Sequence, residues 1–157
     1  VTASLGHDHQ LVSLVTSRAR AFPFYHSTGL IKPLVVQKYA LGNQYKDHYD
    51  WFFDSPTLDG NIESTFFVYI EANCTGGGTN FPRLRWPVAG EKGKREEEEL
   101  WCKWVDCERP WDEGVTFRPV TGNAIFWMNL KDGGRGEGDL KTLHAGLPVT
   151  SGTKMVC

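Results

Sequence analysis

The chain has 157 residues, of which 40% are hydrophobic, 13% aromatic and 23% charged, a composition suited to one globular domain and not to disordered or low-complexity sequence. Lys and Arg number 17 against 19 Asp and Glu, a formal net charge of −2, so the electrostatic footprint of a nucleic-acid or anionic-membrane binder is missing and the expected partner is small or weakly charged. No apolar run approaches the roughly 18 residues that span a bilayer, and the opening VTASLGHDHQ lacks the basic and apolar regions of a signal peptide, so the chain is expected to be soluble.

From Asp8 to Phe22 the apolar residues Leu11, Leu14, Val15, Ala19 and Phe22 recur at helical spacing, with Asp8 as the expected N-cap and Pro23 as the stop. Beyond Pro33 the period becomes two. Leu34 to Leu41 and Gln44 to Phe53 read as the strands of a hairpin turning at Gly42-Asn43, and Ser64 to Ala72 reads as a strand buried on both faces. Gly76-Gly77-Gly78 breaks the pattern. Residues 83–113 form a charged surface insertion with Glu96 to Glu99 at its centre and a helical turn expected between Glu96 and Trp104. Strands are then expected at Val115 to Pro119, Ala124 to Asn129, Thr142 to His144 and Thr153 to Cys157. One helix followed by short strands predicts a mainly β fold, an antiparallel jelly-roll or sandwich with an N-terminal flanking helix. Cys102 and Cys107 stand five positions apart; they either close a small disulfide loop, as a luminal or secreted protein would have them do, or remain buried thiols.

His48 and Asp50 lie two apart on a predicted strand, so their side chains are expected on one face. By itself the pair reads better as a surface strand with alternating polar residues. His144, on a remote predicted strand, changes the weighing, because a barrel can bring the two strands over one interior, and two histidines with one carboxylate make the minimal facial set for non-haem Fe(II). Among the other histidines, His7 and His9 flank the helix start, where capping and exposure are expected, and His26 reads as a surface loop residue. Lys154 alternates with Met155 on the last strand; if it points inward beside a metal, an acidic co-substrate must meet it.

The run Val36 to Phe52, with Tyr39, Gly42-Asn43 and His48-Tyr49-Asp50, resembles the hairpin of prolyl 4-hydroxylases, which are Fe(II)- and 2-oxoglutarate-dependent dioxygenases. Three further blocks resemble that family in the same order: Phe67-Val68-Tyr69-Ile70 followed by Gly76 to Pro82, Phe117-Arg118-Pro119 through Gly122 to Trp127, and Asp139 through Leu143-His144 to Gly152-Thr153-Lys154. The resemblance implies a double-stranded β-helix (jelly-roll) in which His48, Asp50 and His144 bind Fe(II) and Lys154 pairs with the far carboxylate of 2-oxoglutarate. It places Tyr39 and Thr65 along the co-substrate pocket. It also implies hydroxylation of a proline-containing peptide with release of succinate and CO2, upkeep of the iron by ascorbate, and a place in the endoplasmic reticulum lumen or secretory pathway. The chain departs from the family where many members carry an arginine facing the peptide, seven residues before the strand tyrosine; Ile62 stands there. That favours a second reading, hydroxylation of a small molecule. A strand upstream of the helix and a tryptophan-bearing continuation after the lysine are expected to be missing, which leaves a non-catalytic jelly-roll binding module as a third.

Overall fold

In the computed structural model the residues described are 1–6, 8–22, 30–53, 60–85, 100–134 and 136–157. Among the described residues nine strands make two antiparallel sheets: β1 (Thr2–Leu5), β2 (Leu34–Tyr39), β3 (Tyr45–His48), β4 (Ser64–Gly76), β5 (Thr79–Phe81), β6 (Val115–Phe117), β7 (Ala124–Met128), β8 (His144–Gly146) and β9 (Val149–Val156). One sheet has the order β1-β2-β9-β4-β7 and the other β3-β8-β5-β6. Matching the two orders, β2 stands in the position of β3, β9 of β8, β4 of β5 and β7 of β6, so each of the pairs β2/β3, β4/β5, β6/β7 and β8/β9 crosses from one sheet to the other, while β5 and β6 are neighbours in the second sheet. That shuttling is the jelly-roll. The interior is filled by Tyr39, Tyr69, Val149 and Val156, with Phe67, Cys74 and Ile125 packed against them.

A helix, α1 (Gln10–Arg20), lies outside the sheets. Its N-cap is His9, not Asp8: the imidazole Nδ1 accepts from the Leu11 amide at 3.2 Å. The face turned inward carries Val12, with Thr16 and Ala19 half-buried, whereas Leu11, Leu14 and Val15 are exposed. Helical period survives, but the side that the fold covers is rotated from the one with most apolar residues, because helix orientation is set by what lies beneath it. A strand, β1, precedes this helix where the sequence reading expects none; it pairs with β2 from Thr2↔Gln37 to Leu5↔Leu34.

Two departures bear on function. The second hairpin strand ends at His48 instead of running to Phe53, because Asn61 captures the following backbone: its Oδ1 accepts from the Phe52 amide at 2.9 Å and its Nδ2 donates to the Phe52 carbonyl at 3.1 Å. A side-chain amide thus replaces the ladder there. Downstream, Asp139 caps a 3-10 turn at Leu140–Thr142 through its side chain, so the last histidine opens a strand and does not close one. The charged insertion is described only in part. Its acidic centre, Glu96 to Glu99, lies outside the described residues, as do His7 and His26. Cys102 and Cys107 are joined in a disulfide with Cα atoms 5.5 Å apart, and the loop they close carries fully buried Val105, which bridges to Phe117 at the sheet edge.

Candidate metal centre

His48 and His144 are direct partners across β3 and β8, so their side chains share a face. Tyr45 pairs with Gly146, so three steps along β3 are matched by two along β8: a bulge inserts one residue. Tyr45 and His48 would otherwise alternate to opposite faces; here their rings meet at 4.2 Å. Asp50 lies in the bend after β3 and folds back, placing its Oδ1 3.6 Å from His48 Nε2 and 3.7 Å from His144 Nε2. The facing ligand atoms of all three residues lie within 4.8 Å of one another.

The hydrogen bonds settle which nitrogens face inward. His48 Nδ1 lies 2.8 Å from the Lys46 carbonyl and His144 Nδ1 lies 2.9 Å from the Thr142 carbonyl. A carbonyl only accepts, so Nδ1 carries the hydrogen in each ring and Nε2 presents its lone pair in the neutral form. His144 packs between Phe81, stacked at 5.4 Å, and Trp127, edge-on at 4.9 Å. Burial there pushes its pKa below the ordinary histidine value, against the smaller opposing pull of the Thr142 carbonyl and Asp50, so the ring is held as a neutral ligand. Two bare imidazole nitrogens and a carboxylate oxygen therefore converge on one point. That donor set fits a divalent transition metal, with the histidines tied from behind by backbone carbonyls.

Deeper in the barrel Lys154 is only 1% exposed. Its Nζ donates to the Gly77 carbonyl at 2.5 Å and lies 4.8 Å from the centre of the Tyr39 ring, its partner across β2 and β9. Among the described residues no carboxylate stands in ion-pair range of it, and burial lowers its pKa from the ordinary 10.5 to about 8. Gly77 makes this approach possible: it adopts a φ of +68°, and a Cβ there would lie 3.3 Å from Lys154 Cδ. Beside it the Tyr69 hydroxyl and Thr79 Oγ1 are 2.6 Å apart, both buried. The Tyr39 hydroxyl donates to Gln37 Oε1 at 2.9 Å.

Sequence reasoning thus named residues that the fold gathers into two adjoining places: His48, Asp50 and His144 at the metal end, and Lys154 with Tyr39 behind it. Thr65 is set against Asp50, to which its hydroxyl donates at 2.6 Å. The Tyr69–Thr79 pair was not assigned a role, although both residues fall within the family-resembling blocks read above; the signal was the buried polar pair itself, which only the fold reveals. Beyond the end of β3, Tyr49, Trp51 and Phe53 form one aromatic cluster in which Trp51 is buried and Phe53 is 69% exposed.

The chain is similar to prolyl 4-hydroxylase subunit alpha-2 of Gallus gallus, 33% identical over 127 residues that cover 78% of this chain and 18% of that protein. It is 29% identical over 161 aligned positions to prolyl 4-hydroxylase subunit alpha-1 of Homo sapiens, covering 96% of this chain and 23% of the relative. With probable prolyl 4-hydroxylase 8 of Arabidopsis thaliana it shares 29% identity over 152 positions, 95% of this chain and 47% of the relative. The chain therefore spans less than half the length of each of these relatives. No family model matches. Among solved structures, the viral collagen prolyl hydroxylase of Paramecium bursaria Chlorella virus 1, in complex with 2-oxoglutarate, superposes with a TM-score of 0.68 at 23% identity, covering 99% of this chain and 74% of that one; this likeness is one of fold.

Proposed function

Starting from a chain that is prolyl 4-hydroxylase-like over most of its length, we propose that it is a single-domain Fe(II)- and 2-oxoglutarate-dependent dioxygenase that hydroxylates peptidyl proline. The observation that carries the reading is the pairing of a His48–Asp50–His144 donor set with a buried, carboxylate-free Lys154 in the same barrel. Iron(II) held by the three ligands would supply, with dioxygen and 2-oxoglutarate, the insertion of oxygen into a C–H bond, with succinate and CO2 released and ascorbate keeping the metal reduced.

The residues of this chain divide the work. His48 and His144 offer neutral nitrogens, and Asp50 supplies the one negative charge, leaving a site that stays net positive with a divalent ion and attracts an anionic co-substrate. Lys154 meets the far carboxylate of that co-substrate in a pocket walled by Tyr39 and floored by the Tyr69–Thr79 pair. Its charge is costly to bury alone and is matched when the anion enters. The metal end lies at half-exposed His48 and Asp50, so an extended peptide can present one ring while its flanks stay outside. The Cys102–Cys107 disulfide supports a secretory-pathway setting, since such bonds persist in oxidising compartments.

Incubation of the iron-loaded chain with 2-oxoglutarate and, separately, a proline-rich peptide, a collagen-like peptide and free proline tests the proposal. A mass gain of one oxygen on a peptide with matching succinate is the expected result. Ile62, half-buried where a peptide-facing guanidinium is common in the family, favours a second reading. Hydroxylation confined to a free amino acid or another small molecule would establish it, and a metal-loaded protein that never converts 2-oxoglutarate would leave a binding module.

A further inference from the structure

A chain of hydrogen bonds runs from the barrel interior to Asp50. Trp127 Nε1 donates to Asn129 Oδ1 at 2.8 Å, Asn129 Nδ2 donates to Thr65 Oγ1 at 2.9 Å, and Thr65 Oγ1 donates to Asp50 Oδ2 at 2.6 Å. Its direction is dictated by chemistry. An indole N–H can only donate, so the Asn129 oxygen must face it and the amide nitrogen must face Thr65. The Thr65 oxygen is then occupied as an acceptor, and its single hydrogen goes to the carboxylate, in a short charge-assisted bond. Asn129 has no freedom to depart from this: it is fully buried, its amide donates to the Glu63 carbonyl at 2.7 Å, and its own carbonyl accepts from the Asp139 amide at 2.8 Å. Thr65 and Trp127 are direct partners across β4 and β7, and Asn129 follows two residues later on the same side.

We infer that this Trp127–Asn129–Thr65 relay orients the Asp50 carboxylate, engaging Oδ2 so that Oδ1 is the oxygen presented to the point where the two histidine Nε2 atoms converge. Thr65 is thereby a positioning residue for the metal ligand. Asp50 needs such a device more than the histidines do, because it sits in a bend beyond the end of β3, where no ladder holds it. Outer groups of this kind typically change metal affinity by about 10- to 100-fold.

The inference rests on the cluster being a metal site, and the experiment separates the two. Co(II) is titrated into the full chain without co-substrate, following its visible absorption, for the unaltered protein and for Thr65→Val, Thr65→Ser and Trp127→Phe, with circular dichroism to verify folding. Thr65→Val should weaken Co(II) binding about tenfold or more and alter the absorption band; Thr65→Ser should restore both, and Trp127→Phe, which releases the far end of the relay, should lose less than Thr65→Val. At saturating metal, 2-oxoglutarate affinity should be the same in Thr65→Val and the unaltered protein. Equal Co(II) affinity in Thr65→Val, or a loss confined to 2-oxoglutarate, would overturn the inference. Should Thr65→Val not fold, unchanged Co(II) binding by Trp127→Phe would do so. An unaltered protein that takes up no Co(II) would overturn the metal reading, and this inference with it.

Discussion

The His48–Asp50–His144 cluster, the proposed metal end, and the surroundings of Lys154, the proposed co-substrate pocket, are built on opposite principles. At the metal end every group is tied from behind: carbonyls hold both imidazoles and Thr65 holds Asp50, so the geometry exists before any ligand arrives. In the pocket a cation is buried against an aromatic ring and one carbonyl, with its charge unmatched among the described residues. The first region is preorganised at little electrostatic cost; the second holds an unfavourable burial that an entering anion would relieve. Stability and affinity should therefore respond in the same sense to changes at the first and in opposite senses at the second.

The largest effect expected is at the metal end. His144→Ala removes a ligand outright and should weaken metal binding by more than the roughly 100-fold that outer groups reach, as read by Co(II) titration, while 2-oxoglutarate no longer binds in a metal-dependent way. Retained tight metal binding would break the distinction between the regions.

Lys154→Met should lower 2-oxoglutarate affinity by about 100-fold or more, as expected for unpairing one side of a buried ion pair worth about 3–5 kcal/mol, with metal affinity unchanged. The same variant should raise the unfolding free energy of the ligand-free protein, by about 1 kcal/mol or more, because an apolar chain replaces a lone buried charge. Denaturant unfolding and calorimetric titration check the two halves.

The pH dependence sharpens the same point. Lys154 titrates at about 8 in the folded chain against an ordinary 10.5. Co-substrate affinity should be level below pH 8 and fall as the cation is lost above it, by up to about tenfold per unit. Between 8 and 10.5 the unfolded chain binds more protons than the folded one, so the stability of the ligand-free protein should rise with pH across that window and level off at either side. Lys154→Met should abolish both trends.

The smallest change lies away from both regions. Replacing Cys102 and Cys107 by Ser opens a loop so short that the loss should be about 2 kcal/mol, with metal and co-substrate binding retained. Hydrogen exchange should show the loosening around Val105 and the β6 edge before it shows anything at His144.

How much of this was legible without coordinates depends on the distance over which each feature is decided. Strand alternation, the turn at Gly42-Asn43 and the spacing of His48 and Asp50 are local, and they read correctly as to type. The extent of β3 did not, because Asn61, eleven residues beyond Asp50, ends it. The strands β1 and β5 were missed because each is short and exists by pairing with remote partners, Leu34–Tyr39 for the one and β6 and β8 for the other. The α1 stripe was misplaced since apolar period states that a helix has a face, not which face is covered.

The sequence by itself determined the chemical inventory: two histidines and a carboxylate with the spacing of a facial metal set, a lysine on the last strand, two cysteines close enough to pair. These depend on residue identity and on the period of a strand. Only the tertiary structure decided which atoms do what. The bulge that turns His48 inward, the burial that lowers the pKa of Lys154 and the relay that selects an oxygen of Asp50 all arise between segments apart in the chain, whereas the carbonyls that bare both Nε2 atoms lie two residues before each histidine. Hydrogen-bond direction and desolvation are properties of neighbours in space, and those neighbours exist only once the two sheets have closed on each other.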